Sequence, residues 1–397
     1  MRVRLRGFIR FVVGGLCSLA KGQVEFTRIH EVDFLVWDAT AAESFLMLSE
    51  IGTVGILHTR RERFNFNPHT VFRLTTRILK GTPKGEAYLA SCVEQYRPVA
   101  VFTFIDNDVR FHKVATYFPH TEFVAVQNGW RWPRFEDEPF PLPQGTFVST
   151  MLCFSEFDIQ SWREFGIEFR RIQAIGSLHN DWYRRQRGST IRPESGETAD
   201  ICLVSQYRES IDQDCLDVWI EFRRLLQLLG RFLRTRPLIT VAVALVSETA
   251  SLGWQHEVAF FSRYLPNTVG YRPRVIAEMS NYALTDNCHV TVASSSTLGI
   301  ESLARRNRTL MVGGNIANSV ARAGYQDALW VTGAGSDTEF DVALDRLLAI
   351  DDCTFGEISF QSAEYFSGPP SGGAAIPALR EIALLALGRR KSGRDCG

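Results

Sequence analysis

The stretch VASSSTLGIESLARRNRTLMV, Val292 to Val312, contains the pattern that decides the fold. Its first apolar residues end in a run of hydroxyl side chains, Ser294 to Thr297. A helix-like segment carrying Glu301 follows, and a second apolar run begins at Thr309. A short buried strand, a helix and another short buried strand in this order indicate part of a parallel sheet.

The same alternation extends over most of the chain. Short β-branched and aromatic runs, such as VDFLVWD (Val32–Asp38), VAVFTFID (Val99–Asp106) and ICLVS, alternate with helix-like segments. Continuous apolar strands separated by helices indicate parallel sheets that are covered on both faces. We therefore predict an α/β fold of two doubly wound, Rossmann-like domains that face each other across a cleft.

A change of composition divides the chain. The segment Arg184–Asp200 has no periodicity and is rich in Gly, Ser, Thr, Pro and charged residues, as interdomain linkers are. A chain of 397 residues also suits two domains better than one core. The expected units are an N-terminal α/β domain, a linker, a C-terminal α/β domain and a tail with a closing helix, at residues 1–185, 186–200, 201–350 and 351–397.

Composition argues against several classes of function. The 44 basic and 44 acidic residues give a formal net charge of zero, so no global field attracts nucleic acid. The 8 cysteines form no CxxC pair and no metal-finger spacing, and several lie in apolar runs, as reduced thiols do. The sequence therefore predicts a cytoplasmic protein with no metal site and no bound cofactor.

The N-terminus, Met1–Gln23, is both basic and apolar. Its uninterrupted apolar run, Phe11–Ala20, is much shorter than the roughly 20 residues that span a bilayer. Arginines beside apolar side chains suit an anionic membrane surface, whereas an ordinary first helix is the plainer explanation. Peripheral contact with the inner face of the cytoplasmic membrane is therefore one expectation for this segment.

The hydroxyl run lies where a ligand is expected. In open parallel sheets, ligands bind beyond the carboxyl ends of the strands, where helix N-termini gather. Hydroxyls beside free backbone N–H groups and the positive end of a helix dipole suit a phosphate, although a simple serine cap is the alternative. Gly299 would let a ligand approach the backbone, and Glu301 could accept from ribose hydroxyls. The loop residues are Ser294, Ser295, Ser296 and Thr297.

Polar residues also follow three other strands. After VAVFTF, a carboxylate could deprotonate an acceptor hydroxyl or stabilise an oxocarbenium-like transition state, unless it only caps the next helix. After TEFVAV, amide groups and a turn glycine suit sugar hydroxyls. After ICLV, an arginine could neutralise a phosphate, although an exposed loop arginine is equally common. The residues concerned are Asp106, Asn107 and Asp108, then Gln127, Asn128 and Gly129, then Ser205, Gln206 and Arg208.

The segment SSSTLGIESLARRNRTLMV resembles the nucleotide-sugar-binding segment of GT-B glycosyltransferases, specifically the bacterial surface-carbohydrate biosynthesis proteins of lipopolysaccharide and capsule clusters. In that group a Ser/Thr-rich loop, a Gly and a Glu precede LARG and a short strand, and Asn307 stands here where a glycine is frequent. The pieces VAVFTFIDND, TEFVAVQNG and CFSEFDIQSWREFGIEFRRIQAIGSLHND are also similar to it. The resemblance covers most of residues 31–315.

This resemblance implies a glycosyltransferase that works without a metal. Its donor would be an activated sugar phosphate, either a nucleotide sugar or phosphoribosyl pyrophosphate, and its acceptor a bacterial surface glycan, free or lipid-linked. The first domain would hold the acceptor, with Asp106 as the catalytic carboxylate, and the second domain the donor. A non-hydrolysing nucleotide-sugar epimerase of the same architecture and a non-catalytic glycan-assembly partner are the alternatives.

Overall fold

A computed structural model of the chain describes residues 24–25, 30–59, 64–65, 67–131, 142–187, 199–209, 217–248, 251–276, 278–333, 335–369 and 374–394. The N-terminal segment expected to contact a membrane, and residues 188–198 of the expected linker, lie outside these described residues. No helix in the described ranges has both the length and the apolarity needed to cross a bilayer.

Strands and helices alternate along both halves. The described strands are β1 (Val24–Glu25), β2 (Phe34–Val36), β3 (Val54–Ile56), β4 (Phe64–Asn65), β5 (Ala100–Thr103), β6 (Glu122–Val126), β7 (Phe147–Cys153), β8 (Glu168–Ala174), β9 (Ile201–Val204), β10 (Val241–Glu248), β11 (Gly270–Arg274), β12 (Val290–Ala293), β13 (Thr309–Val312) and β14 (Val331–Thr332). The helices are a 3₁₀ helix (Ala39–Glu50), α1 (Pro68–Leu79), α2 (Lys84–Tyr96), α3 (Val109–Ala115), α4 (Glu156–Glu164), α5 (Leu178–Arg187), α6 (Asp217–Thr235), α7 (Leu252–Phe261), α8 (Ser280–Asn287), α9 (Thr297–Ala304), α10 (Gly314–Arg322), α11 (Asp337–Ala349), α12 (Asp352–Ser367) and α13 (Ala375–Arg394).

Two parallel sheets of six strands form the framework, which confirms the predicted fold class. The first sheet has the order β3-β2-β5-β6-β7-β8, and the second has the order β11-β10-β9-β12-β13-β14. In each sheet the strand order reverses once, between β2 and β5 and between β9 and β12. Such a reversal opens a crevice at the carboxyl ends of the two strands, which is where α/β proteins bind ligands.

Local sequence signals fix the helix starts. Asn67 caps α1 by accepting a hydrogen bond from Thr70 N, and Pro68 occupies the first helical position, where its missing N–H costs nothing. Ser155 accepts in the same way from Asp158 N at 3.2 Å and begins α4. The second cap places the N-terminus of α4 directly after the carboxyl end of β7.

The last two helices tie the domains together. α12 packs on α9 of the second domain and on α4 of the first. α13 returns to the first domain, where Ile376 and Leu379 are fully buried in the core that also contains β2 and β5. Asp181 receives the first N–H groups of α13, from Ala375 at 2.8 Å and Ile376 at 3.1 Å. The carboxylate thereby anchors α13 at its positive end.

The strands of the two large sheets that sequence reasoning missed are both edge strands. β11 and β14 lie at the two edges of the second sheet, and the sequence of β11, GYRPR, contains no apolar run. An edge strand is partly open to solvent and lacks the burial that produces such a run. α5 continues to Arg187, past the predicted boundary at residue 185, and the domain limits themselves remain a prediction.

Candidate functional site

The hydroxyl-rich loop lies at the crevice of the second sheet. Gln206 follows β9 and Ser295 follows β12, the strands between which the order reverses. The Gln206 amide joins the two strand ends, because its Nε2 donates to Ser295 Oγ at 2.9 Å and its Oε1 accepts from Ser295 N at 3.1 Å. These two hydrogen bonds connect stretches that lie about ninety residues apart in the sequence. They also fix the conformation of the hydroxyl loop.

Two features of this loop suit an anion. The Ser294 side chain is fully buried, and its hydroxyl has no hydrogen-bond partner among the described residues. Ser296 is the N-cap of α9, but its side chain makes no capping hydrogen bond. A buried hydroxyl without a partner carries a desolvation cost that a ligand oxygen can remove, and uncapped N–H groups at a helix start attract negative charge.

A loop of the first domain docks onto this one. Trp130 N donates to Thr297 Oγ1 at 3.1 Å, and the Trp130 indole donates to Phe366 O at 3.0 Å. The Trp130 side chain is buried in the core of the second domain, so it is not free to stack on a sugar. A Cβ on Gly129 would lie 3.1 Å from Thr297 Oγ1. Gly129 therefore permits the close approach of the two loops.

The buried Gln127 side chain fixes its own loop through hydrogen bonds. Its side chain is fully buried, and its Nε2 donates to Gly129 O at 2.9 Å and to Asp158 Oδ1 at 2.8 Å. Burial raises the pKa of Asp158 to about 6, although the Ser155 hydroxyl and the Gln127 amide stabilise its charged form. The structure differs here from the expected contact between Gln127 and sugar hydroxyls, because no part of this side chain is exposed.

Asp106 does not face the cleft as a free base. Its side chain is fully buried and forms an ion pair with Arg131, whose Nε lies 3.1 Å from Oδ2 and whose Nη2 contacts both carboxylate oxygens. The Asp106 carbonyl lies 2.8 Å from His112 Nε2, which must donate because a carbonyl only accepts. Burial lowers the pKa of His112, which favours its neutral form. Sequence reasoning passed over Arg131, although it lies two residues after the segment TEFVAVQNG.

The neighbours of Asp106 have different environments. Asp108 caps α3 through Arg110 N at 2.9 Å and accepts from Trp37 Nε1 at 3.1 Å, so this carboxylate has the structural role that sequence reasoning weighed for Asp106. Asn107 is exposed. Asn128 is also exposed, and its Oδ1 accepts from Arg131 Nη2 at 3.3 Å. The two asparagines are therefore accessible to a ligand, and Asp108 is committed to the fold.

Ser205 and Arg208, expected at the donor side, have local roles. The Ser205 hydroxyl donates to the buried Glu257 carboxylate and accepts from Tyr207 N at 3.1 Å. Arg208 is exposed, with its guanidinium 4.2 Å from the centre of the Trp219 ring. Of the three residues after β9, Gln206 is the one that the described hydrogen bonds join to the hydroxyl loop.

Gly299 and Glu301 act differently from the expectation. A Cβ on Gly299 would lie 2.7 Å from both Ala293 Cβ and Met311 Sδ, so this glycine lets α9 pack on β12 and β13 instead of admitting a ligand. Glu301 is almost fully buried and accepts from Ser177 Oγ and, at 2.6 Å, from Tyr282 OH. It links the two domains and leaves no oxygen free for a ribose in this arrangement.

Arg305 extends this interdomain link. Its guanidinium lies 2.5 Å from Asn180 Oδ1 of the first domain and 2.8 Å from Asp286 Oδ1 of the second. It also lies between two aromatic rings, 5.3 Å from the centre of Tyr183 and 4.9 Å from that of Tyr282. The pattern LARR gave no signal of this role, because a helical arginine is usually solvated.

Comparison with known proteins shows the fold. The chain is similar to a solved glycosyltransferase from Rickettsia africae, with a TM-score of 0.52, 12% identity, and 90% of this chain and 99% of that chain covered. It is also similar to the UDP-GlcNAc 2-epimerase of Methanocaldococcus jannaschii, solved with UDP-GlcNAc and UDP, with a TM-score of 0.51, 9% identity, and 88% and 99% covered. No protein-family model and no curated protein matches the chain. The two-domain architecture is thus that of GT-B proteins.

Proposed function

We propose that the chain is a GT-B glycosyltransferase that moves a sugar from an activated phosphate donor to a bacterial surface glycan. A nucleotide sugar is the favoured donor class, and phosphoribosyl pyrophosphate remains the second. The observation that carries the proposal is the junction of the two strand-end loops, in which Trp130 N contacts Thr297 Oγ1 at 3.1 Å. The acceptor class rests on the sequence resemblance alone.

The donor phosphates would bind at the start of α9. The unpartnered Ser294 hydroxyl and the uncapped first turn offer donors to an anion, and the contacts with Gln206 fix Ser295 beside them. Arg131 follows Trp130 in the chain, and 14% of its side chain is exposed. Its guanidinium is held by Asp106. In this proposal Arg131 stabilises the charge that develops on the leaving phosphate, and Asp106 positions it.

Acceptor binding would fall to the first domain. Asn107 and Asn128 are exposed at the ends of the two neighbouring strands β5 and β6, and their amides can both donate and accept. The two loops would enclose the reacting groups and exclude water from the anomeric carbon.

A nucleotide-sugar epimerase is the second candidate, favoured by the structural likeness to the enzyme of Methanocaldococcus jannaschii. Epimerisation needs acid and base groups that reach the sugar. Asp106 is buried in an ion pair, and burial lowers the pKa of His179, which disfavours the imidazolium that an acid step would need. The transferase is therefore the first choice.

The test uses the full-length protein with nucleotides, nucleotide sugars and phosphoribosyl pyrophosphate in a thermal-shift screen. The best donor is then incubated with and without extracts of surface glycan, and the products are followed by NMR. We expect sugar transfer only when acceptor is present. Epimerised donor without acceptor would favour the second candidate, and binding of no donor would overturn both.

A double variant tests the donor loop. Ser295→Ala with Ser296→Ala should weaken donor binding by at least about tenfold, because each hydrogen bond to a charged group is worth about 1.5–3 kcal/mol. Ser262→Ala, at an exposed serine after α7, is the matched control and should bind normally. Wild-type donor affinity in the folded double variant would remove this loop from the site.

A further inference from the structure

A cavity of about 280 Å³ lies in the first domain, bounded by β6, β7, the edge strand β8 and the closing helix α13. It is lined by residues that the proposed function does not use. Three of them are arginines, Arg170 and Arg171 from β8 and Arg389 from α13. The charged groups therefore come from elements far apart in the sequence.

The arginines surround one carboxylate. Glu122 accepts from Arg170 Nη2 at 2.7 Å, from Arg389 Nη1 at 3.2 Å and from Thr150 Oγ1 at 2.7 Å. Burial opposes its ionisation, but the Thr150 hydroxyl and the arginines outweigh burial and lower the pKa of Glu122. Three guanidinium groups and one ionised carboxylate leave the cavity with a formal charge of +2.

Arg171 carries the excess charge. Its Nη2 donates to Gln173 Oε1 at 2.8 Å, and no carboxylate of the described residues forms an ion pair with it. Each guanidinium presents five N–H donors in a planar fork that matches the oxygens of a phosphate.

The opposite wall is apolar. Ile382 and Leu385 of α13 line the cavity, and Leu384 and Leu385 expose 55% and 49% of their surfaces beside it. Charged residues on an edge strand often only prevent strands of other chains from pairing there. That explanation covers Arg170 and Arg171, but not Arg389, which reaches the same carboxylate from a helix.

We propose that this cavity binds the phosphate group of an anionic ligand. The phosphate belongs either to a soluble phosphate compound or to the headgroup of an anionic lipid whose chains contact the exposed leucines. The proposal is independent of the donor loop, because the two sets of residues do not overlap.

The experiment measures binding of two probes to full-length protein carrying Ser295→Ala and Ser296→Ala, so that the donor loop contributes little. Inorganic pyrophosphate is titrated by calorimetry, and cosedimentation compares vesicles of phosphatidylglycerol with vesicles of phosphatidylcholine. Pyrophosphate binding indicates a soluble ligand, and binding to phosphatidylglycerol vesicles alone indicates a lipid. Binding of neither probe overturns the proposal.

Arg171→Gln is the decisive variant, because it leaves the contacts of Glu122 in place. We expect it to weaken binding of the active probe at least about tenfold, since a charged hydrogen-bonded pair is lost. Arg346→Gln, at an exposed arginine of the second domain, is the matched control and should bind normally. Glu122→Gln raises the formal charge of the cavity and should tighten binding. Wild-type binding by both the Arg171 and Glu122 variants would contradict the proposal.

Discussion

Asp106 illustrates how a residue can have the expected position and a different role. Sequence reasoning placed a carboxylate at the end of β5, and the structure puts it there, fully buried against Arg131. A buried charge needs its partner, so the pair is best treated as one unit. Whether it serves catalysis is a prediction that kinetics can test.

We expect Asp106→Asn and Arg131→Gln each to lower turnover by about 10²-fold or more if the pair stabilises leaving-group charge. The double variant should be little worse than the poorer single variant, because the two residues act through the same contact. Steady-state kinetics with the identified donor would measure this. Multiplicative losses, or near-normal turnover in Asp106→Asn, would contradict the paired role.

Asp158 gives a prediction about pH. Its pKa in the folded protein is raised by burial from the ordinary 3.8 to about 6. A raised pKa means that protonated Asp158 stabilises the folded protein relative to the unfolded chain. This contribution to the free energy of unfolding is fully present below about pH 3.8 and is lost as pH rises through 6. Asp158→Asn should abolish this loss, which is on the order of 2–3 kcal/mol. Urea unfolding at several pH values should show the variant gaining stability relative to wild type between pH 4 and 7; parallel profiles would refute the effect of this residue.

At the scale of elements, the interior strands were predictable because burial on both faces forces continuous apolar runs. VTVA and TLMV correspond to β12 and β13 without ambiguity. The strand ends of the candidate site were predictable for the same reason, since polar residues follow each run. What the sequence does not encode locally is the direction of a side chain. Gln127 lies at the expected strand end and Glu301 in the expected helix, yet both side chains are buried.

A substitution at Gly299 decides whether this glycine serves helix packing or ligand access. A methyl group at this position would lie 2.7 Å from Ala293 Cβ and Met311 Sδ, so Gly299→Ala should push α9 away from the sheet. We expect a loss of about 1–3 kcal/mol in the free energy of unfolding, as overpacked cores show. Gly356→Ala, which meets no atom within 4 Å in α12, is the matched control. Chemical denaturation would measure the free energy of unfolding of both variants. Equal stability of the two would contradict the packing role and favour ligand access as the reason for Gly299.

On the scale of the whole molecule, two contacts of different character connect the domains. The loop junction depends on Trp130, whereas the cluster around Arg305 places a guanidinium, two carboxylates and two tyrosines between α5 of the first domain and α8 and α9 of the second. The sequence predicts a linker between the domains, and this remains a prediction, because residues 188–198 lie outside the described ones. The cluster adds a second, buried point about which the domains are coupled.

Arg305→Met tests this coupling. The methionine fills much of the volume but leaves Asp286 without its ionic partner and Asn180 Oδ1 without its donor. Breaking a buried pair by removing one partner costs about 3–5 kcal/mol, and here the cost falls on the contact between the domains. We therefore expect wild type to unfold in one calorimetric transition and the variant in two, with the lower midpoint well below that of wild type. Arg346→Met, at an exposed arginine, should retain the single transition. A single transition at the wild-type midpoint in Arg305→Met would show that the domains are coupled elsewhere, for example at the Trp130 junction or through α12.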